Sequence, residues 1–183
     1  MAAIKSSNRK WNRQCSSITS DYDPTIPGTT SNNESDSNAD TCCLGSNFTI
    51  LAYTNRTADV YPYNDSYEPV RQVPIVSGAT KYDHPSGQSY ILIINEALFY
   101  GTKMGHSLIN PNQLRHSGVG FWDNPYDYNH KLGIEIYENG INIPMVYQGT
   151  KLVFKTSVPT EQELNTLPHI TLTSEQPWNP GDV

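Results

Sequence analysis

The sequence predicts an all-β domain with one or two short helices. From residue 41 onward the chain is made of short apolar or alternating stretches, these are separated by prolines and glycines, and tyrosine is abundant, with 12 residues in 183. Short alternating segments between turn residues are typical of β-strands. A chain of this length can bury one hydrophobic core, so we expect one domain with tails.

The first part of the chain has a different composition. Residues 1–34 are rich in Ser, Thr, Asn and Asp and contain few aliphatic side chains. Such a segment buries too little apolar surface to offset the conformational entropy that is lost when it becomes ordered. We therefore predict that residues 1–34 form a flexible polar tail.

Seven segments are predicted as strands because apolar and β-branched residues recur in them between turn signals. They are residues 49–53, 73–76, 90–94, 97–100, 134–137, 141–146 and 152–155. The sequence Glu138-Asn139-Gly140 favours a hairpin, since Asn-Gly readily adopts the two positive φ angles of a type I′ turn. The polar link over residues 77–89 is interpreted either as a mobile hairpin or lid, or as an ordinary surface loop.

Two short helices are expected. Asn110 is a good N-cap and Pro111 suits the first helical position, so a helix should begin there and end near Gly118. Thr160 and Glu163 have the spacing of a capping box and predict the start of a second helix.

Composition excludes several functional classes. A net charge of -6 argues against a nucleic-acid-binding module, which needs clustered positive charge. The longest apolar stretch, residues 91–94, is far shorter than the roughly 20 residues that cross a bilayer. Three cysteines without a CxxC pair, and five histidines without ligand spacing, predict neither a disulfide framework nor a metal site. The N-terminus lacks the apolar region of a secretory signal, so an intracellular protein is expected.

Two segments carry the expected chemistry. The first reads Asp-Ser-Asn-Ala-Asp over residues 36–40 and is similar to the Asp-[Ser/Thr]-Gly-Ala-Asp signature of retropepsin-like aspartic proteases. The second, residues 107–114, reads Ser-Leu-Ile-Asn-Pro-Asn-Gln-Leu and resembles the second signature of that family, in which two aliphatic residues and a turn residue precede a short helix. The order and spacing of the two segments look like those of copia-type retrotransposon polyproteins.

The resemblance implies a fold and a set of site residues. It implies a retropepsin-like closed β-barrel over residues 35–118, followed by a β-rich extension over residues 119–183 that contains a hairpin and a short helix. The site residues that it implies are Asp36 as the catalytic group; Ser37, Asn38 and Ala39 as the active-site loop; Asp40, Gly78 and Ala79 as substrate-binding residues; and Leu108, Ile109 and Asn110 as support under the loop.

The resemblance also implies how these residues work. One motif per chain requires a symmetric homodimer, in which the hydroxyl of Ser37 links the two loops and Asp40 helps hold the substrate backbone. Two facing carboxylates share one proton, so one Asp36 acts as general base on water while the other polarises the scissile carbonyl. The expected partner is an extended polypeptide, the polyprotein itself, without a cofactor. The expected location is the cytoplasm or virus-like particles within it.

Departures from the family pattern leave a second hypothesis open. Asn38 and Asn110 occupy positions where the family has Gly, and Asn is among the residues that best tolerate left-handed backbone angles. Ser35 replaces the aliphatic residue expected before the catalytic Asp, which weakens the strand that should hold it. The alternative is a catalytically inactive β-barrel that serves as a structural or peptide-binding module.

Two further groups of residues could carry chemistry. His84, His106 and His116 would suit a serine hydrolase, but the sequence has no G-x-S-x-G elbow. Cys42 and Cys43 follow the Asp-containing loop and are interpreted as packing residues, because free Cys behaves as a small hydrophobe.

Overall fold

The computed structural model describes residues 2–5, 29–62 and 66–182. Within them the chain forms mostly strands, two short α-helices and a final 3-10 turn. The strands are β1 Ala2–Lys5, β2 Ser31–Ser35, β3 Cys43–Gly45, β4 Thr49–Pro62, β5 Val70–Asp83, β6 Ser89–Gly101, β7 Ser107–Ile109, β8 Gly120–Trp122, β9 Gly133–Ile136, β10 Ile141–Pro144, β11 Val146–Gln148, β12 Lys151–Thr156 and β13 His169–Thr171. The helices are α1 Pro111–His116 and α2 Glu161–Thr166, and the turn is Pro180–Asp182.

The predicted all-β class is confirmed. Ten strands form one sheet in the order β1-β4-β5-β6-β3-β7-β2-β12-β11, with β13 added to β6, and β10-β9-β8 form a separate three-stranded sheet. The large sheet has two ends, and no closed barrel is found among the described strands. It does curl back on itself, because an isolated antiparallel bridge joins Lys81 of β5 to Ser157 directly after β12.

The arrangement around β7 determines where the site lies. β7 pairs with β2 in parallel and with β3 in the antiparallel direction. β2 and β3 follow each other in sequence, so the segment between them has to pass over the end of β7. That segment contains residues 36–40.

Both faces of this part of the sheet are buried, and successive side chains of a strand point to opposite faces. Ile109 belongs to the larger core cluster, which includes Leu114 of α1 and Ile134 of the small sheet. The neighbouring residue Leu108 points to the other face and belongs to a second cluster, which also contains Cys43, Ala58, Val60, Val73 and Leu98. A strand covered on both faces needs apolar residues in succession, as in Leu108-Ile109.

We define the arm as residues 54–62 and 70–74, the outer parts of β4 and β5. Its residues Ala58, Val60 and Val73 cover one side of the second cluster. The pairing register of the two strands shifts between Tyr53 and Thr57 and again between Ala58 and Val60. Asn55 and Gln72, at these two irregularities, have positive φ angles of 60° and 54°. The bulges bend the arm over the Cys43–Leu98–Leu108 face, since a bulge increases local twist and curvature.

The predicted helices are confirmed. The side chain of Asn110 accepts a hydrogen bond from the Gln113 backbone N–H and caps α1, which begins at Pro111. Thr160 and Glu163 form the reciprocal capping box of α2. The predicted β9–β10 hairpin is also present, but residues 137–140 form a four-residue connection in place of a type I′ turn. Of the Asn-Gly pair, Gly140 has a positive φ, of 67°.

Several sequence predictions differ from the structure in extent. The segments 90–94 and 97–100 are parts of one strand, β6. The tail predicted for residues 1–34 mostly lies outside the described residues, but residues 2–5 form β1, which pairs with β4, and residues 31–34 belong to β2, where Asn33 is buried. The predicted lid over residues 77–89 is a regular hairpin: residues 77–83 complete β5, and a tight turn at residues 84–88 leads to β6. In the part of the chain that the structure describes, no helix is long and apolar enough to cross a membrane.

Gly45 provides a test of the close packing around β7. A Cβ atom on this residue would lie 2.3 Å from the carbonyl oxygen of Met104 and 2.4 Å from that of His106, and both are backbone atoms. We expect Gly45→Ala to lower the free energy of unfolding by about 3 kcal/mol, because the backbone has to shift to relieve the clash.

Urea denaturation measures this effect, with Gly87→Ala as the control. Gly87 has a φ of 92° but no atom within 4 Å of an added Cβ, so the control isolates backbone strain from steric clash. We expect it to cost about 1 kcal/mol. Equal losses in the two variants would contradict the close approach at Gly45.

Candidate active site

The candidate site is the loop of residues 36–40 between β2 and β3. Asp36 is half-buried, Ser37 and Asn38 are exposed, and Ala39 is buried. The acidic side chain therefore lies at the base of a short exposed turn, where a solvent or substrate molecule can approach it.

Backbone hydrogen bonds fix the shape of the loop. The Asp36 N–H donates to the carbonyl oxygen of Ile109 at 2.9 Å, which ties the start of the loop to the end of β7. The Ala39 N–H donates to the Asp36 carbonyl at 3.1 Å and closes the turn. The Asn38 N–H donates to Oδ1 of Asp36 at 3.0 Å. A carboxylate that accepts a backbone N–H is held in one orientation, as a catalytic group requires.

Asn110 contributes a contact that Gly could not make. Its Oδ1 caps α1 by accepting the Gln113 N–H at 2.6 Å, while its Nδ2 donates to the carbonyl oxygen of Ala39. Its φ is -82°, and Asn38 is not among the non-glycine residues with positive φ, which are Asn55, Gln72 and Glu96 in the described chain. The left-handed geometry expected at both positions is therefore wrong, and Asn110 instead anchors the loop through its side chain.

Gln113 holds the end of the loop from below. Its Oε1 accepts the Cys42 N–H at 2.8 Å and the Thr41 hydroxyl at 3.1 Å. Its Nε2 donates to the carbonyl oxygens of Asn95 at 3.2 Å and Glu96 at 3.1 Å. The side chain is 1% exposed, and both polar atoms of its amide are satisfied. One buried amide thus connects α1, the end of the loop and β6.

A buried polar network supports the strands under the loop. Asn33 donates to the hydroxyl of Thr156 at 2.9 Å, and Asn47 donates to Oδ1 of Asn33 at 2.9 Å. Ser107 donates to Oδ1 of Asn47 at 2.6 Å, and Thr80 donates to the carbonyl oxygen of Asn47 at 2.8 Å. Each of these five residues is at most 2% exposed, and together they join β2, β5, β7 and β12. Satisfied buried polar groups specify a single arrangement, because any other arrangement leaves some of them unpaired.

Leu108, Ile109 and Asn110, for which a support role is predicted, are all buried, and Ile109 and Asn110 form hydrogen bonds with the loop. The positions of Gly78 and Ala79 do not support their predicted substrate-binding role. A Cβ on Gly78 would lie 2.6 Å from Cδ1 of Leu44, and Ala79 is 0% exposed in the middle of β5. Both residues are buried in the core, so neither is exposed to a substrate in this structure.

The three histidines that would suit a serine hydrolase have different neighbours. His84 lies in the β5–β6 turn and contacts Ser86 and the carbonyl of Asn142. His106 precedes β7, and His116 ends α1 with its ring against Trp178 at 5.3 Å. The contacts of His84 and His116 are thus with different residues, and they give no support for a hydrolase site shared by the three histidines.

The two cysteines behave as packing residues. Cys42 and Cys43 are buried in the two core clusters, and Sγ of Cys42 accepts the Asn110 N–H at 3.3 Å. Among the described residues, no group of three or more His, Cys, Asp or Glu side chains is placed to hold a metal ion.

Three contributors to the site were not identified from the sequence. Gln113 was recognised only as a helical residue, and Glu96 and Trp178 were not singled out. A weak signal for Trp178 existed: a large aromatic residue between Pro177 and Pro180 in a polar segment indicates a fixed packing position. Comparison with known proteins adds no further assignment, since no family model, curated protein or solved structure matches the chain.

Replacing Gln113 with Glu tests the link beneath the loop. A carboxylate has almost the same shape, but it cannot donate to the two β6 carbonyls and places a charge against them. We expect Gln113→Glu to lower the free energy of unfolding by about 3 kcal/mol or more at neutral pH, as for a buried unpaired charge. Gln162→Glu, on exposed α2, is the matched control and should change it by less than about 0.5 kcal/mol. A small effect at position 113 would contradict the described hydrogen bonds.

His106 predicts a pH dependence of stability. Burial lowers the pKa of His106, the charge of Glu34 acts in the opposite direction, and that of Lys151 adds to the decrease. The unfolded chain has the ordinary pKa of about 6.5, so below that pH it binds more protons than the folded chain. The contribution of neutral His106 to the free energy of unfolding is therefore complete above about pH 6.5, and it is lost as the pH falls towards the lower pKa of the folded chain.

We therefore expect the free energy of unfolding to decrease less between pH 7.5 and 5.5 in His106→Gln than in the wild type. Chemical denaturation at several pH values measures these slopes. His169→Gln, at an exposed position, is the control. A wild-type slope retained in His106→Gln would show that another group is responsible.

Proposed function

We propose that the chain is a retropepsin-like aspartic endopeptidase that acts as a homodimer, with one Asp36 from each subunit. The observation that carries the proposal is the loop 36–40, which presents a half-buried carboxylate oriented by the Asn38 N–H and is anchored to β7 and α1. Such rigid support of a reactive group is what catalysis by a fixed carboxylate needs.

The assignment of the fold to a retropepsin-like barrel belongs to this proposal. It is supported by the way the two sequence signatures meet. β7 lies between β2 and β3 beneath the Asp-containing loop, and α1 starts directly after it. The second signature thus contacts the first through Ile109 and Asn110.

The chemistry requires a second carboxylate, which a second copy of the chain would supply. Two facing Asp36 side chains share one proton, because two ionised carboxylates about 3 Å apart repel each other strongly. The ionised member removes a proton from water as the water oxygen attacks the scissile carbon, and the protonated member transfers its proton to the carbonyl oxygen. The Asp36 that took the proton from water then transfers it to the amide nitrogen, the C–N bond breaks, and a hydroxyl of the tetrahedral intermediate returns its proton to the other Asp36 as the carboxyl group forms.

The substrate in this proposal is an extended polypeptide, including the polyprotein in which the chain would be made. The arm takes the place of residues 77–89 as the proposed lid. It lies over the apolar Cys43–Leu98–Leu108 face next to the site, and Asn55 and Gln72 provide bulges at which it can bend. Binding of an extended peptide on this face would require the arm to swing away from it, because the side chains between them are packed and buried.

Substitution of Asp36 tests the proposed reaction. We expect the wild-type chain to be a dimer by light scattering and to cleave a quenched-fluorescence peptide library between pH 4 and 7.5, with inhibition by pepstatin. Asp36→Asn should reduce kcat/KM by at least about 100-fold, the range of one general acid–base group. Asp127 lies in the connection between β8 and β9, outside the 36–40 loop, so Asp127→Asn should leave cleavage unchanged.

Two outcomes would reject the protease. Cleavage that persists in Asp36→Asn would place the reactive group elsewhere. A wild-type monomer that cleaves nothing at any pH would favour the inactive structural or peptide-binding module. Asn38→Gly then identifies the cause, since cleavage gained by that variant would locate the defect in the exposed Asn38 side chain.

A further inference from the structure

The C-terminal segment crosses the fold and returns to the candidate site. We define the strap as residues 172–180, which follow β13. At its start, the Leu172 N–H donates to the carbonyl oxygen of Ile93 at 2.8 Å. Thr173 and Asn95 then form three hydrogen bonds: Asn95 N–H to Thr173 Oγ1 at 2.7 Å, Asn95 Nδ2 to the Thr173 carbonyl at 2.8 Å, and Thr173 Oγ1 to the Asn95 carbonyl at 2.9 Å.

The middle of the strap is joined to α1. The Ser174 N–H donates to Oγ of Ser117 at 2.9 Å, and Trp178 packs its ring against that of His116 in an edge contact. Gln113, His116 and Trp178 line a small cavity of about 180 Å³ between the helix and the strap. These contacts bring the indole ring to the end of the 36–40 loop.

Trp178 makes two polar contacts there. Its indole N–H donates to the main-chain carbonyl oxygen of Asp40 at 2.8 Å, and its backbone N–H donates to Oε2 of Glu96 at 3.1 Å. Glu96 is 5% exposed and also forms an ion pair with Arg56 of the arm. The Glu96 carbonyl oxygen in turn accepts the hydroxyl of Thr41, the residue that follows the loop.

One buried carboxylate and one indole therefore join the strap, the arm and the loop. A buried carboxylate is stable only when it is paired and hydrogen-bonded, so Arg56 and Trp178 both stabilise the charge of Glu96. Removing the strap would take one donor from this charge and one from the Asp40 carbonyl.

We propose that the strap positions the 36–40 loop, and that Trp178 is a positioning residue for the proposed cleavage reaction. The inference rests on the proposed function for its catalytic part. It gives the extension after residue 118 a role, since its final segment holds Asp40. Ile109 holds Asp36 at the opposite end of the loop, and Asn110 holds Ala39.

Trp178→Phe separates the hydrogen bond from the packing. Phe keeps an aromatic ring against His116 but has no N–H for the Asp40 carbonyl. Loss of one hydrogen bond of about 1 kcal/mol should accelerate amide hydrogen exchange in residues 37–42 roughly fivefold. In the cleavage assay, kcat should fall by a similar factor while KM changes by less than about twofold, because the substrate-contacting surface is retained.

Trp122→Phe is the matched control. Trp122 also donates its indole N–H, to Glu135 at 2.8 Å, but it lies in β8 of the small sheet. We expect this variant to leave exchange in residues 37–42 at the wild-type rate. The two variants remove the same type of group and differ in whether it contacts the loop.

The two readouts distinguish failure of this inference from failure of the proposed function. Faster loop exchange in Trp178→Phe alone supports positioning of the loop, even if the wild-type chain cleaves nothing and the protease is rejected. Unchanged exchange, or equal acceleration in both variants, overturns the inference. An active enzyme whose loop loosens without a change in kcat overturns the catalytic part of the role.

Discussion

Strand β7 lies between two strands that follow each other in sequence, and this constraint governs the rest of the fold. Because β7 occupies the hydrogen-bonding edges of both β2 and β3, the chain that connects them has to cross over its end as the loop 36–40. The same insertion buries β7 on both faces. Leu108 contacts the arm cluster and Ile109 the main core, so the arm and the C-terminal extension pack on opposite sides of one short strand.

The interior around this strand contains several buried polar side chains, and their hydrogen bonds select one arrangement of the strands. Asn33, Asn47, Ser107 and Thr156 form a connected network in which each amide or hydroxyl has a partner. The net gain from such hydrogen bonds is small, about 1 kcal/mol each, whereas an unpaired buried group costs about 1–3 kcal/mol. Alternative registers of β2 or β12 would break several of these bonds together. The network therefore holds the strands in the one register that places the loop above β7.

Local sequence signals were sufficient to predict the elements whose ends are fixed by residues a few positions apart. Asn110 and Thr160 predicted the two helix starts because capping is decided within four residues. β2 was missed because Asn33 looks like a solvated residue until Asn47, 14 positions away, and Thr156, 123 positions away, surround it. Most of the arm was missed because its sequence is largely polar, with Thr54-Asn55-Arg56-Thr57 in succession and only a short apolar alternation at Ala58 and Val60. Gly78 looked like a loop residue, but it is small because Leu44 packs against it.

The sequence by itself determined the all-β class, the helix caps and the two short segments that carry the retropepsin-like resemblance, since each depends on neighbours a few residues apart. Only the tertiary structure decided that Asn110 anchors the loop through its side chain, that Gln113 joins the loop to β6, and that Trp178 reaches the Asp40 carbonyl. The physical reason is the distance along the chain. The hydrogen bond between Trp178 and Asp40 spans 138 residues, and no local propensity specifies such a contact; it forms only when the packed strands bring both ends to one place.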